Sequence, residues 1–176
     1  MKLNKKYGII FWITGLSGSG KSTLSKKIYS YIKNKFGPTI LLSGDDLRKI
    51  FKLNKYDKNY RMKIVKKYTG LIKLISANKI NVLFSVVGLF HKLHKYNRKN
   101  LKNYIEIFID ANFKKTELRK EKFFYKKKSP HVWGRDIFPE YPKKPHITIK
   151  NNFLKSEDAL SQELIHKIDK LKIKFI

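Results

Sequence analysis

The residues of this chain best suited to chemistry sit near its start. Gly15-Leu16-Ser17-Gly18-Ser19-Gly20-Lys21-Ser22 fits the pattern G-x-x-x-x-G-K-[ST], with Thr23 following. Glycines at these offsets let backbone N–H groups converge on one point, and a helix beginning at Lys21 adds the positive end of its dipole. The Lys21 amine is a point charge able to reach β- and γ-phosphates, and the Ser22 hydroxyl is an oxygen donor suited to Mg²⁺. A flexible Gly/Ser turn is the bland alternative. The loop lies between an apolar run and an amphipathic segment, the strand–loop–helix setting the motif requires, so it reads as a site for Mg·ATP.

A triphosphate loop does not say where the phosphoryl group goes. Only 13 acids are present, so candidate bases can be enumerated. Asp45 and Asp46 directly follow a short apolar run, at the carboxyl edge where open α/β sheets bind ligands. Arg48 lies one helical turn further on. A carboxylate to take a hydroxyl proton and a guanidinium to hold an anion make an acceptor-binding pair. The plainer reading of Asp45 and Asp46 is a helix N-cap. His91 and His94 are spaced to share a helix face, but zinc needs a third ligand that the sequence does not place; contact with an acceptor or simple packing are the other roles open to them. Trp133 and Tyr141 suit either a clamp on a base or aromatic packing.

The elements that must position these groups are legible from periodicity. Gly8 to Thr14, Thr39 to Ser43, Ile80 to Val87, Tyr104 to Asp110 and His146 to Lys150 read as strands. Helices are expected over Ser22 to Phe36, Asp45 to Phe51, Tyr60 to Ala77, His91 to Asn103, Asn112 to Lys122 and Ser156 to Leu171, the last with Leu160, Leu164, Ile168 and Leu171 facing inward. Strands alternating with helices predict a three-layer α/β fold of the P-loop NTPase type, with a parallel five-stranded sheet. No repeat or linker interrupts residues 1–176, so one domain is expected. Periodicity fades over 123–145, which holds four of the five prolines and the lysines Lys126 to Lys128; this segment is expected to be a lid.

Composition narrows the classes. With no cysteine, disulfide scaffolds and Cys-based zinc sites are excluded. The apolar run after Met1 is short, lacks a small-residue cleavage site and leads into the glycine loop, so it reads as a core strand rather than a secretory signal. No run reaches the ~20 apolar residues of a spanning helix, so no membrane partner is expected and the location is expected to be cytoplasmic. The net charge of +28 would ordinarily suggest nucleic acid. All but five of the 41 basic residues are lysines, spread over nearly every segment. That pattern fits an AT-rich coding bias. The expected partner is a small anionic nucleotide and not nucleic acid.

In order along the chain, these residues resemble the adenylylsulfate kinase family. The similarity runs from Gly15–Thr23 through Ser43-Gly44-Asp45-Asp46-Leu47-Arg48, Tyr56, Arg61, Arg119 and Phe124-Tyr125 to Gly134-Arg135-Asp136-Ile137 and Tyr141–Pro145. The resemblance implies transfer of the ATP γ-phosphoryl group to a ribose 3′-hydroxyl. It implies Asp45 as proton acceptor and Mg²⁺ ligand with Ser22, and Arg48 and Arg61 as grips on the acceptor's 5′-phosphoanhydride. Tyr56 would stack on the acceptor's base, Val87 and Trp133 would line the acceptor site, Lys127 would neutralise charge as the lid closes, and Arg119 would lie near the ATP adenine. A homodimer is implied as well.

The departures fall on the acceptor side. Ser43 replaces an expected Asp, Ile64 an expected Asn, and Gly88-Leu89 an expected Ser-Pro; the lid is shorter, and Val132 stands where an aromatic is expected, with Trp133 beside it. Phe90–His94 and Tyr96–Arg98 resemble a divergent branch found among bacterial surface-polysaccharide genes. That branch includes a kinase of the ribose 3′-hydroxyl of a cytidine 5′-diphosphate analogue, and this is the acceptor favoured, for capsule modification. Adenylylsulfate itself is the alternative. A different small P-loop kinase, and a basic nucleic-acid-binding protein with an ATP switch, are the rival classes.

Overall fold

A computed structural model of the chain describes residues 1–118 and 131–176. Its centre is a parallel five-stranded sheet in the order β3-β4-β2-β5-β6. The strands are β2 (Ile10–Gly15), β3 (Thr39–Ser43), β4 (Asn81–Val86), β5 (Tyr104–Ala111) and β6 (Ile147–Asn151). β2 and β4 are buried at every position, as expected of strands covered on both faces. The chain runs out to β3, returns to β4, and then crosses β2 to build β5 and β6. The reversal leaves a crevice at the carboxyl ends beside β2.

Alternation along each strand divides the core in two. On one face Phe11, Ile13, Leu83, Ile105 and Ile107 pack against α1 (Lys21–Phe36) and α6 (Glu157–Lys170) through Leu24, Ile28, Ile32, Leu160, Leu164 and Ile168. On the other, Ile10, Trp12, Val82, Phe84 and Tyr104 meet α2 (Gly44–Ile50), α3 (Lys58–Ala77) and α4 (His91–Asn100) through Leu47, Ile64, Tyr68, Ile72 and Leu93. Each fully enclosed side chain contributes about 1.5–3 kcal/mol of apolar burial. Side-chain caps set four of the helix starts among the described residues: Ser43 for α2, Asp57 for α3, Asn112 for α5 (Phe113–Leu118) and Ser156 for α6.

The expected strands and helices are present with small shifts. α4 ends at Asn100, not Asn103, because Leu101 is extended and Asn103 takes a positive φ of 49°. α5 is described over Phe113–Leu118, and the rest of the expected helix lies outside the described residues. A parallel pair, β1 (Lys2–Leu3) with β7 (Lys174–Phe175), was not expected. Two residues per strand give no readable alternation. The Met1 nitrogen donates to the Leu171 and Lys172 carbonyls at 2.7 and 3.1 Å, tying this pair to the end of α6.

One buried charge fastens the chain that returns to β6. Glu106 on β5 is fully buried, accepts from Arg98 of α4, and takes a second hydrogen bond from Tyr104 Oη at 3.0 Å. Arg98 also donates to the Lys144 carbonyl. Arg98→Ala strands this carboxylate. The expected loss is about 2–3 kcal/mol, below the ~3–5 of a fully enclosed pair because the Arg98 side chain is 39% exposed. At this chain length thermal unfolding should drop by roughly 5–10 °C, with substrate KM values unaffected.

Candidate active site

The glycine loop turns sharply off the end of β2. Gly15 has φ +153°, and a Cβ there would lie 2.6 Å from the Ile109 carbonyl oxygen on β5, so no side chain fits. Gly20, the residue before α1, is left-handed at φ 94°, and no side chain caps the helix. The first N–H groups of α1 therefore face the loop's hollow without a side-chain acceptor. Lys21 is buried, and its Nζ donates to the Leu16 carbonyl at 2.5 Å. Leu16 itself is a core residue, contributing backbone to the loop while its side chain packs inward. Ser19 Oγ is buried and has no hydrogen-bond partner among the described residues.

A cavity of about 140 Å³ lies over this loop, lined by Ser17, Gly18, Lys21, Ser22 and Thr23 and closed across by Asp45. The donor set fits a magnesium polyphosphate. Amides and an amine face the anion, while one hydroxyl and one carboxylate leave the remaining positions on a small hard cation to water and phosphate.

A second cavity of about 420 Å³, the size of a nucleotide site, adjoins the first. Ser17, Asp45 and Val87 line both. Val87 is held by Thr14, whose hydroxyl donates to the Val87 carbonyl and so ties the end of β2 to the chain leaving β4. Asp45 sits in the first turn of α2, but it is not the cap. Ser43 accepts from the Asp46 N–H at 3.1 Å and donates to the Asp46 carboxylate at 2.7 Å, which leaves Asp45 directed at the cavities. The unexpected serine thus does the capping that the sequence reading offered to the aspartates.

The wider cavity gathers Arg48, Tyr56, Arg61, Val87 and Trp133, as the sequence predicted. Arg48 lies 4.2 Å and Arg61 5.2 Å from the centre of the Tyr56 ring, and Arg61 is 5.9 Å from Trp133. Arg61 is tied to the Tyr56 and His131 carbonyls at 2.5 and 2.8 Å. Burial, and then the nearby Arg48 charge, lower its guanidinium to about 10. Arg48 Nε is buried without a partner among the described residues. Two guanidiniums kept this close favour an anion between them.

Other expectations change. His94 is buried, and its Nε2 donates to the Gly88 carbonyl at 3.1 Å; burial lowers its pKa, keeping the ring neutral. It holds the turn at Gly88, where φ is +47°, and does not line either cavity. His91 Nε2 meets the Tyr141 carbonyl at 3.0 Å, also away from the cavities. Tyr141 packs on Phe108 at 5.4 Å, whereas Trp133 stacks edge-on against Phe90 and faces the pocket. Arg119 and Lys127 lie outside the described residues. Sequence reasoning missed Asn54 and Phe90 in the wider cavity and Asn151 in the narrower one. It also took Tyr68 for core alone, although that residue lines the wider cavity. Asn151 Nδ2 donates to the Ser19 carbonyl at 3.1 Å, bracing the loop from the end of β6. Nothing in the local sequence around Asn151 signals this, because the contact spans most of the chain.

A parallel sheet with an amide cradle at its carboxyl edge, joined through one carboxylate to a cation-lined second pocket, defines a P-loop phosphotransferase. The adenylylsulphate kinase family pattern matches residues 7–150. The chain belongs to that family. It is 33% identical over 162 residues to cytidine diphosphoramidate kinase of Campylobacter jejuni, covering 90% of this chain and 94% of that one. It is 29% identical over 180 residues to the adenylyl-sulfate kinase of Clostridium acetobutylicum, covering 98% and 88%. Its fold matches the Mycobacterium tuberculosis APS kinase in complex with AMPPNP and APS, with a TM-score of 0.81 at 24% identity over 93% of this chain and 98% of that one.

Asn151→Ala removes the brace on the phosphate loop while leaving the wider cavity untouched. The expected result is a several-fold rise in ATP KM with acceptor KM unchanged, measured by varying each substrate in turn; a rise in acceptor KM alone would contradict it.

Proposed function

We propose that this protein transfers the γ-phosphoryl group of ATP to the ribose 3′-hydroxyl of a 5′-modified nucleotide, with cytidine diphosphoramidate as acceptor. The observation that carries this is Asp45, whose residue borders both the phosphate-loop cavity and the wider, arginine-lined one. A hydroxyl presented there lies between the carboxylate and the end of a triphosphate tail.

In the reaction, the 3′-oxygen forms a new bond to phosphorus as the bond between that phosphorus and the β,γ-bridging oxygen breaks. The hydroxyl proton passes to the Asp45 carboxylate, and ADP leaves. Lys21 and the α1 amides hold the phosphates in place and offset their charge as it shifts to the bridging oxygen. Ser22 and Asp45 would hold Mg²⁺, which would supply further neutralisation of phosphate charge. Arg48 and Arg61 bind the acceptor's 5′-diphosphate-like group, Tyr56 and Trp133 flank its base, and Val87 forms the wall beside the ribose. Most of the rate then comes from positioning and electrostatics rather than from covalent chemistry.

The name of the Campylobacter relative supports a cytidine acceptor, and the changes at Ile64 and Gly88, both of which line the wider cavity, fit a change of acceptor; Ser43 borders the phosphate-loop cavity instead. A role in capsule modification follows from that acceptor. Adenylylsulfate is the second reading, favoured by the names of several other relatives. Among the described residues no helix is long and apolar enough to cross a membrane. We place the enzyme in the cytoplasm, where ATP is available, and as a homodimer; sedimentation measures the latter.

Incubation with Mg·ATP and each acceptor, read by phosphorus NMR, should give a new 3′-phosphomonoester on the cytidine compound. The same signal from adenylylsulfate alone would select the second reading. Asp45→Asn should lower kcat by roughly 10²-fold or more while ATP still binds in a fluorescence titration; an active Asp45→Asn enzyme would refute the base assignment.

Arg48→Ala and Arg61→Ala should each raise acceptor KM by about tenfold or more with ATP KM unchanged, since each removes a charge-assisted contact. Unaltered acceptor KM in both variants takes the arginines out of the site.

A further inference from the structure

Among the described residues, two with unpartnered buried polar atoms line the wider cavity: Arg48, through Nε, and Tyr68, through its hydroxyl. The anion site accounts for Arg48. Nothing in the reaction described so far uses Tyr68. A buried phenol ordinarily finds a partner, and leaving one unmade costs about 1–3 kcal/mol.

Tyr68 is held rigidly. It is only 4% exposed, and its ring meets Phe84 of β4 nearly edge-on, at 6.1 Å and 78°. Phe84 is itself locked against Trp12 of β2 at 4.9 Å. The hydroxyl is therefore presented from a fixed ring on the central sheet. Burial pushes its pKa up to about 12, so it stays protonated across the neutral range, able both to donate and to accept.

Its place along α3 gives it a ligand. Arg61, Ile64, Val65 and Tyr68 follow the spacing of one helix face, and all four line the cavity. Arg61 and Tyr68 are seven residues apart, about 10 Å along the axis, the scale of a nucleotide from its 5′-phosphate to the far edge of its base. Ile64 and Val65 between them offer no polar side-chain atom, and Phe90 and Trp133 form aromatic walls. An acceptor with its 5′ anion on Arg48 and Arg61 would run its base along this face toward the hydroxyl.

We propose that the Tyr68 hydroxyl hydrogen-bonds the polar edge of the acceptor's base and is a determinant of which base is accepted. The inference rests on the reading of the wider cavity as the acceptor site. A pocket built around a base hydrogen bond rejects bases that cannot complete it, because the phenol is then left buried and unpaired.

Tyr68→Phe keeps the ring and its packing and deletes only the hydroxyl, so the melting temperature serves as the control for folding. The variant should raise KM for the preferred acceptor about tenfold, leave ATP KM unchanged, and narrow the preference between cytidine and adenosine acceptors. An unchanged acceptor KM and an unchanged preference overturn the proposal. If the wild type phosphorylates neither acceptor, the reaction assigned above falls, and Tyr68 is judged by calorimetric titration of CMP and AMP into protein saturated with AMPPNP. Tighter binding of one nucleotide by the wild type, lost about tenfold in the variant, supports the base-reading role. Equal binding by both proteins, or binding of neither nucleotide, overturns it.

Discussion

An α-helix that starts without a side-chain cap leaves amide N–H groups unsatisfied, and the site is arranged around that deficit at α1. α2, α3, α5 and α6 begin on Ser43, Asp57, Asn112 and Ser156, and the first N–H of α4 donates to the Glu140 carboxylate at 2.8 Å, so the open start of α1 stands out against them. A bound anion would complete it. Lys21 and the buried Ser19 hydroxyl add to the same demand. The fold supplies the rigidity: β2 is the middle strand, paired on both sides, so the loop at its end inherits the most constrained position in the sheet.

The wider cavity has the complementary problem of holding cations together. Arg48 and Arg61 flank one tyrosine ring, and the lowered guanidinium of Arg61 records the cost of burial beside a like charge. Each site is relieved by an anion of its own, and a residue between the two cavities is the carboxylate Asp45. Attraction at the two ends and the positioning of Asp45 between them are parts of one electrostatic arrangement. The overall charge of +28 is a weaker field laid over it, able to draw anionic substrates in but too dispersed to select among them.

Substitutions that weaken the acceptor side as read from the sequence acquire local purposes in three dimensions. Ser43 caps α2 through Asp46 and thereby leaves Asp45 unengaged by the helix start. Gly88 permits a left-handed turn whose carbonyl is fixed by the neutral His94 ring. Ser43 borders the phosphate-loop cavity and Gly88 the wider one, while the phosphate loop itself keeps its pattern.

Local chemistry determined much of this protein from the sequence alone. The glycine pattern, the apolar runs and the helical spacing specify the phosphate loop, the five main strands and the order of helices, because each depends on neighbours within a turn or a strand. Asp45 and Arg48 were legible because they follow β3 closely along the chain, whereas Tyr56 and Arg61 came only from the resemblance to the family. Contacts across the chain were not. Asn151 beneath Ser19, Arg98 on Glu106, the β1–β7 pair and the unpartnered hydroxyl of Tyr68, a residue that lines the wider cavity, depend on how distant segments are brought together. A tyrosine at a core-facing position looks the same in sequence whether its hydroxyl meets protein or a cavity. Only the packing of α3 against β4 decides which, since burial is a property of the assembled layers and not of any one segment.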